Sequence, residues 1–418
     1  MSTAKLHGTA RPRGSYRLMF DARYGVYFWT NTCAATGLWI FSIVTAILAY
    51  ELTDSASVVA LVVVAQNVPQ IFSLLSGKLA DRRHLGRLIA LGRLVSAVGP
   101  LTMAIWLWAF DPVGSVEGTV LMCVSAALMG FGLVLVGPAS QTMIPLLIRP
   151  GEMPAAMALS SVPMTLSRAI GPAAGAFLAL HLGPVAALLV AAAGYLIHAV
   201  AVLTLRVRRA TTPVGTDIDD LSVTASLRYV RDHAPLPALL LAVAAIGVAA
   251  EPSVTLSPTI AADLGGGSAL AGWLTSGFGI GACVGFLLFG VIRRWVSMQR
   301  LTGASMLLMA VGLLALAVAW IPPVALGAFG LSGIGMTLAF ICVTTLIQEK
   351  ASDSVRGRVM ALWFLAFLGV RPIATTATGV LADTAGLPTS LIVAAVVIAG
   401  AAYLCRPAVL GPDSSPAT

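Results

Sequence analysis

Charge is what this chain has least of. Asp, Glu, Lys and Arg together make up 10% of its 418 residues, apolar residues make up 58%, and mean hydropathy is +0.94. A soluble domain carries about a quarter charged residues, so such a fold in water is excluded. Cysteine is scarce as well. Cys33, Cys123, Cys283, Cys342 and Cys405 stand singly, with no CxxC and no Cys/His spacing. That excludes a disulfide scaffold and a metal site, leaving the thiols as packing residues. No HExxH and no nucleophile elbow occurs. Gly77-Lys78 does not belong to a phosphate-binding loop, because Phe72 stands where its first glycine would be and Leu79 follows the lysine. Neither an enzyme nor an ATP-driven permease is expected, and no cofactor is implied.

What the chain has in abundance is long apolar runs. Twelve stretches fall near 24–50, 56–77, 88–110, 117–146, 153–180, 184–206, 236–262, 268–292, 300–320, 324–348, 357–382 and 387–405. Each is close to the ~20 residues needed to cross ~30 Å of hydrocarbon as a helix. Backbone polar groups must pair inside lipid, and these runs are continuous rather than alternating, which points to helices and not a β-barrel. The expected fold is an all-α membrane protein of twelve transmembrane helices.

The few charges are placed asymmetrically. The odd-numbered connections lack Lys and Arg and carry Glu51, Asp54, Asp111, His181, Asp263 and Asp383. The even-numbered side holds Arg82, Arg83, Arg87, Arg149, Arg206, Arg208, Arg209, Arg293, Arg294, Arg300, Lys350, Arg356 and Arg358, among others. This is the positive-inside pattern, and it places both termini in the cytoplasm of a multi-pass protein of the cytoplasmic membrane. The net charge of +8 therefore serves orientation against lipid, and nucleic-acid binding is not expected. Met1–Phe20 is basic without a short apolar core, so it is expected to be a cytoplasmic tail rather than a signal peptide.

The longest polar interval divides the chain into residues 1–206, a cytoplasmic linker 207–235 and residues 236–418. Within the linker, Leu221–Arg231 reads as a helix with Leu221, Leu227 and Val230 toward the membrane and Arg228 and Arg231 toward lipid phosphates. The two halves repeat. An offset of 203 carries Gly130 to Gly333, Gly132 to Gly335, Met157-Ala158-Leu159 to Met360-Ala361-Leu362, Arg168 to Arg371 and Gly183 to Gly386. Spans 4 and 5 thus correspond to spans 10 and 11. An even shift in span number means parallel repeats about an axis along the membrane normal, so two six-helix bundles related by a pseudo-twofold are expected.

Between spans 2 and 3 stands Gly77-Lys-Leu-Ala-Asp81-Arg82-Arg83-His-Leu-Gly86-Arg87. Gly77 permits a tight exit from span 2, and Asp81 can sit against the positive start of a neighbouring helix. The segment resembles the loop 2–3 signature of the major facilitator superfamily. Glu51-Leu-Thr-Asp-Ser55-Ala, Gln66-Asn-Val-Pro69-Gln and Arg356-Gly-Arg358-Val-Met are similar to the branch that contains enterobactin-type exporters and transmembrane secretion effectors. His84 stands where that loop often has glycine. The second-half counterpart, Gly290-Val-Ile-Arg293-Arg294, puts Arg294 where Asp81 would be. An asymmetric cytoplasmic gate is expected, with Asp81 facing Arg356 and Arg358 at the start of span 11 and Arg294 facing Glu152 at the start of span 5. In span 5, Arg168-Ala-Ile-Gly171-Pro172-Ala-Ala-Gly175 resembles the antiporter motif of drug exporters. Gly171 and Gly175 make a face for close helix packing, and Pro172 loosens the helix. Span 4 has Ala126 where the superfamily often has arginine, which excludes coupling through that position.

Arg168, Glu251 and Arg371 are read as the ionisable groups near mid-span. Such groups are costly in lipid and should face the interior and pair. Glu251 is the expected proton-coupling group with Arg371 as counter-ion. Pro252 should leave the Val248 carbonyl without its usual donor and weaken span 7 at that depth. Trp29, Asn31, Trp39, Gln66, Gln141, Phe340, Trp363 and Phe367 are candidates for lining a cavity. The expected function is secondary transport: export of a small amphipathic drug or secreted metabolite by proton antiport, in a monomer. Its partners would be the substrate, protons and membrane lipid. An importer or lipid flippase of the same fold is the alternative.

Overall fold

Lipid leaves the backbone little choice but helix, and among the described residues no strand occurs. The structure is a computed structural model, which describes residues 15–69, 85–110, 116–149, 152–160, 162–205, 223–351 and 356–411. Spans 1, 3, 4 and 6 are the helices Tyr24–Thr53, Leu85–Ala109, Val116–Leu147 and Pro184–Thr204. Spans 8, 9, 10 and 12 are Gly267–Ile292, Met298–Ala317, Pro322–Lys350 and Leu387–Leu404. Span 2 is described over Ala56–Asn67. Span 5 comprises Met153–Ser160 and Val162–Leu182, and span 11 comprises Arg356–Leu368 and Arg371–Ala385. Span 7 is broken into Leu236–Ala250, Pro252–Thr255 and Ser257–Asp263. Among the described residues, ten helices are long and apolar enough to cross a membrane. The other two are span 2, part of which lies outside the described residues, and span 5, whose hydropathy is lowered by Arg168, His181 and two prolines.

The repeat is visible in how the glycines pack. A side chain on Gly130 would strike the Gln66 carbonyl of span 2, and one on Gly132 would strike Gly92 and Ser96 of span 3. Their counterparts behave alike: Gly333 lies on the Phe278 carbonyl of span 8, and Gly335 on Ser305 and Met309 of span 9. Span 4 thus relates to spans 2 and 3 as span 10 relates to spans 8 and 9. Gly183 and Gly386 have φ of +84° and +88° in the turns that start spans 6 and 12, a left-handed conformation that only glycine adopts readily. The twelve helices form two bundles of six with this internal symmetry.

Apolar side chains at helical spacing, such as Leu91, Leu94, Val98 and Ile105 on span 3, stand exposed and form the lipid face. Trp108 and Trp320 are exposed at one end of the bundles and Trp295 at the other, as aromatic residues placed at the two interfaces would be. The end with Trp295 also carries exposed Arg87, Arg149, Arg294 and Arg300, and is termed the arginine-rich end. The expectation for the linker helix needs correction. It spans Val223–Asp232, and Val230 is buried in the protein core against spans 7 and 11 instead of facing lipid, while Leu227 is exposed.

The bundles meet along two seams, span 5 against span 8 and span 2 against span 11. Ala173 donates its backbone N–H to Ser276 Oγ at 2.8 Å, and a side chain on Gly272 would strike the Pro172 carbonyl. Gly379 lies against Ala56, Ser57 and Ala60. Asp383, at the end of span 11, accepts the Ala56 N–H at 2.8 Å, the Ser57 N–H at 2.9 Å and the Ser55 hydroxyl at 2.7 Å. These contacts close the arginine-poor end. Toward the other end, Phe286, Leu287 and Val291 of span 8 are exposed.

Gly171 and Gly175 pack not on span 8 but on span 1, where a Cβ on Gly175 would lie 2.7 Å from Ile43 Cγ2 and 3.0 Å from Ile40 Cα. Gly175→Ala should therefore destabilise the N-terminal bundle by about 1 kcal/mol. Thermal unfolding in detergent checks this, and an unchanged midpoint would mean that span 1 yields without cost.

Candidate functional site

Three intramembrane charges expected from the sequence converge where the two bundles face each other. Arg371 Nε donates to Glu251 Oε1 at 2.5 Å, and Thr375 Oγ1, one turn further along span 11, donates to Glu251 Oε2 at 2.6 Å. Glu251 is 1% exposed. Span 11 reaches span 7 because residue 247 is glycine: a Cβ there would lie 3.1 Å from the Phe367 carbonyl. The third charge, Arg168 of span 5, reaches across to the other bundle. Its Nη2 donates to Ser253 Oγ at 3.4 Å, and its guanidinium lies over Phe278 at 4.5 Å and Trp39 at 5.1 Å. Among the described residues Arg168 forms no ion pair. Among the described residues of this site, two cations accompany one carboxylate, which leaves a net positive charge when Glu251 is ionised.

The break in span 7 is formed differently from the expectation. The Val248 carbonyl is not left without a donor, because the Glu251 N–H turns to it at 3.2 Å in a tight, 3₁₀-like turn. The proline-directed break remains. It sets Glu251 at a helix junction, followed by the single turn Pro252–Thr255.

The cavity candidates separate into groups. Phe340, Trp363 and Phe367 form one cluster across spans 10 and 11, with ring centroids 5.0–6.0 Å apart. Asn31 lines a cavity of about 220 Å3 in the N-terminal bundle. Gln66 exchanges hydrogen bonds with Ser42 and ties span 2 to span 1. Trp39 joins Val63 and Val254 in a buried cluster between the bundles. Trp29 does not line the cavity; its ring lies edge-on to Phe28 and beside Phe20, because it is rotated away from the helix face that carries Tyr24, Tyr27, Phe28 and Asn31. The side chain of Gln141 lies outside the described residues.

Of the expected arginine-end gate, Gly77, Asp81, Arg82 and Arg83 lie outside the described residues, as do the side chains of Arg356 and Arg358. Arg87 and Arg294 are exposed. Glu152 is buried and accepts the Arg149 backbone N–H at 2.9 Å; among the described residues no ion pair joins it to Arg294.

Beyond the three ionisable groups expected near mid-span, two more are buried within the spans. Arg93 of span 3 is 5% exposed, donates from Nη2 to Asn31 Oδ1 at 2.7 Å and lies 5.9 Å from the Tyr195 ring centroid. His198 of span 6 is fully buried and shares a hydrogen bond of 2.9 Å with Thr30. A lone arginine inside the apolar run Leu85–Ala109 was the available signal for the first. His198 gave none beyond its residue type. Thr375 and the Asp383 latch were also missed, since their roles depend on partners 124 and more than 320 residues away.

The sequence profile described as transmembrane secretion effector, MFS_3, matches residues 21–414. A search of curated proteins finds no match. The fold is similar to that of a bacterial homologue of the lysosomal transporter Spinster in an inward-facing, unoccupied conformation, with TM-score 0.68, 14% identity and 95% and 97% of the two chains covered. It is also similar to a bacterial homologue of the iron transporter ferroportin in an inward-facing state, with TM-score 0.71, 13% identity and 91% and 97% covered. The D-xylose–proton symporter aligns with TM-score 0.70, 13% identity and 92% and 97% covered. Together with the twelve helices and their internal repeat, these matches show that the chain is a membrane transporter of the major facilitator superfamily and belongs to its transmembrane secretion effector family.

Proposed function

We propose that this protein exports a small amphipathic molecule, a drug or a secreted metabolite, by proton antiport with alternating access across the cytoplasmic membrane. The observation that carries the coupling reading is the carboxylate of Glu251, held at the break in span 7 by Arg371 and Thr375 of span 11. A carboxylate is the one group here that can take up and release a proton while its guanidinium partner stays charged. Protonation removes the attraction to Arg371 and frees a junction already lacking a continuous helix. The arginine excess at one end supports a cytoplasmic placement of that end. Closure of the opposite end by Asp383 supports an inward-facing reading, the state named for two of the similar structures.

The bond from Thr375 favours a second reading, in which the pair is permanent and only holds spans 7 and 11 together. Glu251→Gln separates the two in proteoliposomes with an imposed pH gradient and a panel of amphipathic compounds. The coupling reading expects a folded variant whose flux no longer responds to the gradient. Flux that keeps its full dependence on the gradient would leave Glu251 structural. The direction of net flux in the wild type decides between export and the importer or flippase alternative.

A further inference from the structure

A third intramembrane cation, Arg93, lies apart from the Glu251 site. The cavity of about 220 Å3 is walled by Tyr24, Tyr27, Phe28 and Asn31 of span 1, Arg93 of span 3, and residues of spans 4 and 5 that include Val136, Ile144 and Pro163. Pro163 precedes Arg168 by five residues, so the cavity lies roughly 7–8 Å toward the arginine-rich end at 1.5 Å per residue. Among the described residues no carboxylate lines it. Among the described residues Arg93 has no ion pair, and its Nε is buried without a hydrogen-bond partner. A guanidinium has five N–H donors, and burial of a cation without an anion is costly. The Asn31 oxygen answers one of those donors but supplies no charge.

From this we infer that the Arg93 cavity is a binding site for the oxyanion of an amphipathic molecule, a carboxylate or phosphate on an apolar body. The guanidinium and the Asn31 amide meet the head, and Phe28, Val136 and Ile144 meet the tail. Arg93 fixes the charge class of the ligand, because an amine in its place would face a buried like charge. The inference deepens the transport reading by naming the substrate class, and it rests on that reading only for the ligand's route. Its test is equilibrium binding, so a protein that binds the anion but moves no substrate would sink the transport reading and leave this one intact.

The full chain is placed in phosphatidylcholine nanodiscs and titrated by equilibrium dialysis with octanoate, octanamide and octylamine, with empty nanodiscs subtracted. The wild type should bind octanoate at least about tenfold more tightly than octanamide, the preference expected of one charge-assisted contact. Arg93→Gln should erase that preference, Arg93→Lys should keep part of it, and Asn31→Leu should weaken octanoate binding with Arg93 in place. Loss of octanoate binding in nanodiscs containing phosphatidylglycerol would identify a lipid headgroup as the source of the anion; retention would point to a free substrate. Equal affinity for octanoate and octanamide in the wild type overturns the proposal. So does a preference that survives in folded Arg93→Gln.

Discussion

Arg371→Ala should destabilise the protein by about 3 kcal/mol, the low end of the cost of stranding a buried charge, because the arginine is itself 26% exposed. Glu251 is 1% exposed and its Oε1 accepts from Arg371 Nε, so the variant leaves a carboxylate in the bundle with Thr375 as its remaining hydrogen-bond donor. Arg168 cannot take over without giving up Ser253 and its position over Phe278. The expected result is a large fall in the apparent melting temperature in detergent. Arg371→Ala combined with Glu251→Ala should recover much of it, since the double variant removes both charges and leaves only a cavity. Arg371→Lys should fall between, having the charge without the planar fork. If Arg371→Ala melts within a degree of the wild type, the pair does not hold spans 7 and 11 together.

Asp383→Ala should open the arginine-poor end. One carboxylate of the C-terminal bundle caps the start of span 2 in the N-terminal bundle through two backbone N–H groups and the Ser55 hydroxyl. The cap exists only while the two bundles are in contact at this end, so its free energy belongs to one conformation and not the other. Losing a cap and a charge-assisted hydrogen bond at an exposed site costs about 2 kcal/mol, roughly thirtyfold in the ratio of closed to open. Spin labels on either side of the seam, read as distance distributions, would register the shift. Asp383→Asn should shift less, because its oxygen still accepts one N–H. Distributions unchanged in Asp383→Ala would show that the other seam contacts, those of Gly272 and Gly379 and the Ala173–Ser276 hydrogen bond, close this end without it.

Much of this was legible in the sequence because lipid makes composition decisive. Span number, helical character and the two-bundle repeat follow from apolar run length, backbone pairing and a single offset shared by glycines and an arginine. The convergence of Arg168, Glu251 and Arg371 was also readable, since isolated charges in lipid have few places to go. Reading failed where direction around a helix mattered. Trp29 and Asn31 are two residues apart, yet one packs edge-on to Phe28 and beside Phe20 outside the cavity and the other meets Arg93. Val230, on the helix face expected to meet the membrane, lies in the core. Periodicity gives a face but not what covers it, and a span wrapped by both lipid and protein shows little contrast between faces.

By itself the sequence determined the solvent, the helices, their number and their duplication, because each is set by local chemistry summed along the chain. Tertiary structure alone decided which charges are answered and which are not. Glu251 receives Arg371 and Thr375, Asp383 caps a helix of the other bundle, and the Arg93 guanidinium is left facing a cavity with no carboxylate among its described lining residues. The first two depend on groups brought within 3 Å across more than a hundred residues of chain, and the third on groups 62 residues apart. Electrostatic and hydrogen-bond energies fall off over that same short distance, so no local pattern could have fixed them.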